Sequence, residues 1–286
     1  MDLTSPKTIR QIASDFGFTF KKGLGQNFLT SKSILEEIAQ AAEIDNGGVL
    51  EIGPGFGVLT QELSAHAKKV VAIEIDERLN AVLDYTLSSC DNVKIINADV
   101  MKTDLKKLIS DEFGNERISV AANLPYYITT PIITTLLEEK LPVKNIVIMI
   151  QKEVAERLNA RPGTKDYGAI TLLCRYYTEP EIVTHVPAGL FVPPPKVDSA
   201  VLKLKVLDEP SIKVKDEKTF FKTVKAAFSQ RRKTLLNCLA SAFPIPKPQL
   251  TELMEAAKIL PGRRGETLSI EEFALLSDAL TEFMNR

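Results

Sequence analysis

The sequence is poor in the residues that build metal and thiol chemistry, and it carries almost no net charge. Its 286 residues include only two histidines and three cysteines. Cys90, Cys174 and Cys238 are scattered, with no Cys-x-x-Cys and no Cys/His spacing, so neither a zinc site nor a disulfide framework is indicated. That usage fits a reducing cytoplasm. His66 and His185 lie far in sequence from every motif described below, which leaves no credible general base. No apolar run approaches the ~18 residues of a membrane span, and Met1 to Arg10 lacks the apolar core of a signal peptide. Internal repeats and low-complexity segments are also missing.

The 36 basic and 37 acidic side chains nearly cancel, giving a net charge of −1 and a pI near 6.2. A globally positive field is therefore excluded. From Asp208 onward 13 Lys+Arg stand against 11 Asp+Glu, a net of +2 that leaves −3 on the rest. Any nucleic acid would have to be recognised by local patches and by fit to a shape.

What is present is ordinary globular material, 44% hydrophobic and 26% charged, enough for one large domain and a smaller one. From Gly48 the pattern alternates strand, glycine loop, helix and strand: strands at 49–52, 69–75, 93–96, 118–122 and 145–151, helices at 58–67, 77–87, 131–138, 152–159 and 167–177, and closing strands at 181–186 and 200–206. Such alternation builds an α/β fold, a Rossmann-like parallel sheet with ligands at the carboxyl ends of its strands. Before it, residues 7–15 form a short helix, and Ser33-x-x-Glu36 predicts a capping box that opens the next one. A composition shift at Leu207-Asp208-Glu209-Pro210 divides a domain of residues 1–207 from an all-helical one of residues 208–286.

Three motifs carry chemistry. Glu51-Ile-Gly53-Pro-Gly55-Phe-Gly57 lets backbone approach a ligand at a helix N-terminus. Its Gly-x-Gly-x-Gly spacing puts Val58 where a dinucleotide fingerprint has its third glycine, and Glu51 precedes the loop, which favours S-adenosylmethionine over NAD. Glu74 ends the second strand, where a carboxylate can take both ribose hydroxyls of either cofactor. Asp99, after the third, can accept from an adenine amine or simply cap a turn. Asn123-Leu124-Pro125-Tyr126 closes the fourth strand. Alone it is a strand-to-loop turn signal. Alternatively, the Asn123 side-chain oxygen and the Leu124 carbonyl take both N–H groups of a planar amine while Tyr126 stacks on its ring, a contact worth roughly 1–3 kcal/mol.

Together these motifs resemble the ribosomal RNA adenine dimethyltransferase family, over nearly the whole chain. Gln26-Asn27-Phe28-Leu29 and Phe228-Ser-Gln-Arg231-Arg232-Lys233 match it as well, and Leu124 stands where DNA adenine and protein glutamine methyltransferases usually have Pro. The resemblance implies a class I methyltransferase fold and S-adenosylmethionine held by Asn27, Leu29, Gly53, Gly55, Glu74, Asp99 and Asn123, with residues 1–47 supplying helices and a loop over the cofactor. It also implies a target adenine sandwiched by Tyr126 and Phe191, where the residues alone place Phe191 in the core of a rigid Pro193-Pro194-Pro195 connector. The implied partner is 16S rRNA of the small subunit or its precursor, dimethylated at two adjacent adenosines of its 3′-terminal hairpin. The reaction calls for no metal, and a monomer is the default. Candidate RNA contacts are Lys21, Lys22, Lys222, Arg231, Arg232, Lys233, Arg263 and Arg264; a charge stripe alone is usually a solvated face. The rivals are a large-subunit (23S) rRNA adenine methyltransferase of the macrolide-resistance type, typically more basic, and a ribosome assembly factor.

Overall fold

The structure, a computed structural model, describes residues 1–19, 26–125 and 128–285. In chain order its elements are α1 (Pro6–Asp15), β1 (Phe28–Leu29), α2 (Lys32–Ala41), β2 (Gly48–Ile52), α3 (Val58–His66), β3 (Lys69–Glu74), α4 (Asn80–Thr86), β4 (Val93–Asn97), α5 (Leu105–Phe113), β5 (Ile118–Asn123), α6 (Thr129–Glu138), β6 (Val143–Gln151), α7 (Lys152–Leu158), α8 (Ala169–Tyr177), β7 (Thr178–Val186), β8 (Phe191–Val192), β9 (Ser199–Val206), α9 (Glu217–Phe228), α10 (Leu235–Ala242), α11 (Lys247–Ala256) and α12 (Ile270–Met284).

Seven strands form one sheet in the order β4-β3-β2-β5-β6-β9-β7. The pairs from β4 through β6 are parallel, and β9 returns antiparallel to β6. Parallel strands are covered on both faces, and β2 and β5 are apolar and buried through nearly their whole length. The chain runs outward from β2 to β4 and then returns to β5, so the strand order reverses between β2 and β5. That is the switch point where doubly wound sheets bind ligands.

Contacts divide the chain into two units, Met1–Ala155 with Glu179–Val206, and Glu156–Thr178 with Leu207–Arg286. The segment 156–178, read from sequence as part of the first domain, therefore belongs with the later helices. Tyr176 of α8 stacks on Phe220 of α9 at 5.0 Å, and Tyr177 stacks on Phe221 at 5.8 Å. A composition shift marks a linker; it does not reveal an earlier helix whose aromatic face packs on a later one. Within this unit α9 is amphipathic: Phe220 and Val224 are buried, whereas Lys218, Lys222 and Lys225 are exposed.

Two local expectations change, and one element is new. The helix expected at 77–87 is a 3₁₀ turn, Glu77–Leu79, followed by α4, because the Asp76 carboxylate accepts from the Arg78 amide and caps the turn. Ser33 opens no capping box: α2 begins at Lys32 with Ser31 at its N-cap and no side-chain cap bond. The two-stranded ribbon of β1 and β8, which pairs Phe28 with Val192 and Leu29 with Phe191, is too short to show as a periodic pattern.

Candidate active site

The carboxyl ends of four parallel strands supply the site. After β2 the chain turns through Gly53 to Gly57, and Gly57, at φ +80°, is the N-cap of α3. Next to it β5 ends at Asn123, β3 ends at Glu74, and Asp99 follows β4. The ribbon adds the fifth wall: the Thr30 amide and hydroxyl both donate to the Leu190 carbonyl at 2.8 Å, which holds residues 26–29 over the strand ends. All seven residues predicted to hold the methyl donor line one cleft here, together with Pro125.

Phe28 closes down on the glycine loop, its ring 4.5 Å from that of Phe56. A Cβ built on Gly55 would sit 2.6 Å from the Phe28 ring, at a φ of +60° that side chains rarely adopt. Gly55→Ala is therefore expected to cost roughly 1–3 kcal/mol in a urea titration and to weaken donor binding at least tenfold, because either the loop or Phe28 must move. An unchanged unfolding midpoint would count against this packing.

Electrostatically the cleft is built on buried acids. The Glu74 carboxylate accepts from the amides of Asp76 at 2.8 Å and Gly55 at 3.2 Å. Burial raises its pKa, and those two donors oppose the rise. Glu51 is 1% exposed and its Oε2 has no hydrogen-bond partner among the described residues. Burial, with repulsion from Glu74, pushes its carboxyl up to about 8. Sequence reading used Glu51 only as a motif marker. Its strand position, one residue before Ile52 and the loop, was the signal available. Asp99 caps a short turn, accepting from the Met101 amide at 3.0 Å, and it also lines the cleft. Ile75, next after Glu74, also lines the cleft and is 53% exposed, an apolar side chain that sequence reading passed over.

At the acceptor end, the Asn123 Nδ2 donates to the Asn27 carbonyl at 3.0 Å. The amide is thereby oriented. No described residue donates to the Asn123 Oδ1 or to the Leu124 carbonyl, so both atoms expected to hold an amine are available. The side chain of Leu124 is itself buried. Tyr126 lies outside the described residues, as do Lys21 and Lys22. Phe191 is 3% exposed within the core and does not line the cleft. A base could stack on it only after its ring was uncovered. The expectation from the residues alone, a Phe packed under a rigid loop, is what this arrangement shows.

The predicted RNA contacts of the C-terminal unit divide in two. Arg263 pairs with Glu272 and donates to the Thr267 carbonyl at 2.6 Å, and Lys222 sits 4.4 Å over the Phe243 ring. Both are engaged within the unit, for a reason spacing could not show, since their partners lie on other turns and helices. Arg231, Arg232, Lys233 and Arg264 are exposed. Arg231 donates to the Lys165 carbonyl, and the Gly163 amide donates to the Glu266 carbonyl at 2.7 Å. The loop 161–166 is thus drawn beside both basic segments and adds exposed Arg161 and Lys165, among the acids Asp166 and Glu266.

A family profile described as "Ribosomal RNA adenine dimethylase" matches residues 17–282. Among curated proteins, "Ribosomal RNA small subunit methyltransferase A" of Geobacillus sp. (strain WCH70) is 51% identical over 284 residues, covering 98% of each chain. Its namesake in Bacillus cytotoxicus is 52% identical, covering 98% of this chain and 97% of that one. Among solved structures, a dimethyladenosine transferase from Plasmodium falciparum superposes with a TM-score of 0.74 at 28% identity, over 90% of this chain and 98% of that one. The 23S rRNA methyltransferase ErmE superposes at 0.68, also at 28% identity, over 89% of this chain and all of the other.

Proposed function

Because the chain belongs to the ribosomal RNA adenine dimethylase family, we propose that it transfers methyl groups from S-adenosylmethionine to the N6 atoms of two adjacent adenosines in the 3′-terminal hairpin of 16S rRNA, during cytoplasmic maturation of the small subunit. The observation that carries this reading is the oriented amide of Asn123, with its Oδ1 and the neighbouring Leu124 carbonyl both available, at the edge of a cleft that gathers the seven donor residues.

The residues fit the donor. The Oε2 of Glu51, without a hydrogen-bond partner among the described residues, suits a cationic group, and Glu74 suits vicinal hydroxyls. Asp99 would accept from an adenine amine, with Ile75 offering an apolar face to the ring. Gly53 and Gly55 leave room for a chain, and Asn27 and Leu29 close the cleft from the ribbon side. S-adenosylmethionine, when bound, supplies an activated methyl on a sulfonium. What this chain contributes is position: Asn123 and Leu124 accept both N–H groups of the target amine, which holds it in line and directs its lone pair at the methyl. Pro125 fixes the turn that brings the two acceptors together, and Tyr126 supplies the stacking face. The proton released after transfer passes to water.

RNA is guided by Arg232, Lys233 and Arg264, with Arg161 and Lys165 beside them. Each Ala substitution among these that removes a phosphate contact should lower the slope of log affinity against log salt by about 0.7–0.9. Equal slopes for wild type and a triple Ala variant would remove this surface from the reading.

The deciding experiment is transfer from labelled donor to small and large subunits of an unmethylated strain, with nucleosides identified by mass spectrometry. Dimethyladenosine on the small subunit is expected. Label on the large subunit alone would assign the chain to resistance-type chemistry, and donor binding without transfer to either would make it an assembly factor.

A further inference from the structure

One carboxylate and one guanidinium tie the N-terminal segment to the donor end of the cleft. Arg78 donates from Nε to Asp76 Oδ1 at 2.7 Å, and its Nη2 pairs with Oδ2. Its Nη1 donates to the Thr19 carbonyl at 3.2 Å, and its guanidinium lies 4.7 Å over the Phe18 ring. From the other direction, the Gln26 Nε2 donates to Asp76 Oδ2 at 2.9 Å. Asp76 is buried and its own amide donates to Glu74. The chain then continues from Gln26 to Asn27, whose carbonyl takes the Asn123 amide.

We infer that Asp76 and Arg78 are positioning residues for methyl transfer: by holding Gln26, they set the Asn27 carbonyl that turns the Asn123 Oδ1 toward the target amine. An unrestrained Asn can present either its oxygen or its NH₂ to a substrate, and only the oxygen accepts. The Asn27 carbonyl distinguishes the two, because it can bond to the NH₂ and would repel the oxygen. The bidentate fork of Arg78 is suited to this task, since it grips Asp76 and still reaches the Thr19 carbonyl and the Phe18 face. Neither Asp76 nor Arg78 lines the cleft, whereas Gln26, Asn27 and Asn123 do, so the pair's effect runs through Asn123. The ring of Phe28 and the Thr30 anchor hold the far side of Asn27, which makes Gln26 the point where the Asp76–Arg78 grip is felt.

This inference rests on the functional reading above, and its test separates the two. In free protein the side-chain NH₂ resonance of Asn123, identified by its loss in Asn123→Ala, should shift in Arg78→Met. Steady-state kcat should fall about tenfold in the same variant while donor KM changes less than threefold. Arg78→Lys, which keeps the charge but lacks the fork, should restore part of both. Should Arg78→Met not fold, Gln26→Met removes the contact through which the Asp76–Arg78 grip acts, and the same shift and kcat loss are expected. An unmoved Asn123 resonance with unchanged kcat in a folded variant overturns the inference. Wild type that methylates no subunit overturns the functional reading instead, and the resonance still reports on the contact path.

Discussion

Asn123→Ala is expected to lower methyl transfer to small ribosomal subunits by roughly 10²–10³, the cost of removing one preorganised polar group from a transition state. The argument is geometric. Asn123 ends β5, in register with Met149 of β6, so its backbone is fixed by the sheet and truncation leaves the strand in place. Its Nδ2 is held by the Asn27 carbonyl, and its Oδ1 has no donor among the described residues. Alanine removes the acceptor and leaves the Leu124 carbonyl to hold the amine by one N–H alone, which neither aligns it nor concentrates its lone pair. Donor affinity should change only a few-fold, because Glu74, Asp99 and the glycine loop are untouched. The measurement is single-turnover transfer beside calorimetric binding of S-adenosylhomocysteine. A variant that keeps wild-type turnover would show that Asn123 only terminates a strand. A variant that loses turnover and donor binding together would show that its contact with the donor, not its hold on the amine, dominates.

The second large effect concerns Glu51. Its folded-state carboxyl is pushed up to about 8 from an ordinary 4.5 by burial, with Glu74 nearby adding to it. A raised carboxyl pKa means the folded protein holds a proton that the unfolded chain has released. The stability associated with that proton is fully present below about pH 4.5 and is lost as pH rises through about 8. Over that window the loss amounts to at most roughly 5 kcal/mol, at 1.36 kcal/mol per pKa unit. Glu51→Gln keeps the shape and has no proton to lose, so its urea stability should fall far less between pH 5.5 and 8.5 than that of wild type. Glu74, shifted in the same direction, leaves a slope of the same sign in the variant. A cationic donor group at the Glu51 carboxylate would favour the ionised form. Donor binding to wild type near pH 7 should therefore release protons, detectable as a buffer-dependent enthalpy that Glu51→Gln abolishes. Parallel stability curves for the two proteins would mean that Glu51 is ionised throughout and has found a partner.

The fold is shared by a dimethyladenosine transferase and by a 23S rRNA methyltransferase. Their shared architecture explains why fold alone does not choose the subunit. The curated relatives named for the small subunit, at 51% and 52% identity over nearly the full chain, favour the assignment made here.

Local chemistry was legible in the sequence wherever one stretch of chain holds the whole signal. The β-α alternation, the glycine loop, the acid that ends β3 and the Asn-Leu-Pro turn all depend on neighbours a few residues apart, and each stands at a strand end as expected. Burial of the apolar runs 118–122 and 145–151 followed from composition, because continuous apolar strands need cover on both faces. Tertiary structure alone decided what depends on distant partners. It paired Leu29 with Phe191 across 162 residues and so buried the ring that sequence and resemblance left between core and base pocket. It engaged Arg263 with Glu272 and drew the loop 161–166 to Arg231, which rearranged the basic surface. It buried Glu51 and set it within reach of a second acid, and it gave the Asn123 amide its orientation through Asn27. Residue type and spacing determine which groups a chain can offer; solvation, charge pairing and the direction of a hydrogen bond are properties of surroundings that exist only once distant segments meet.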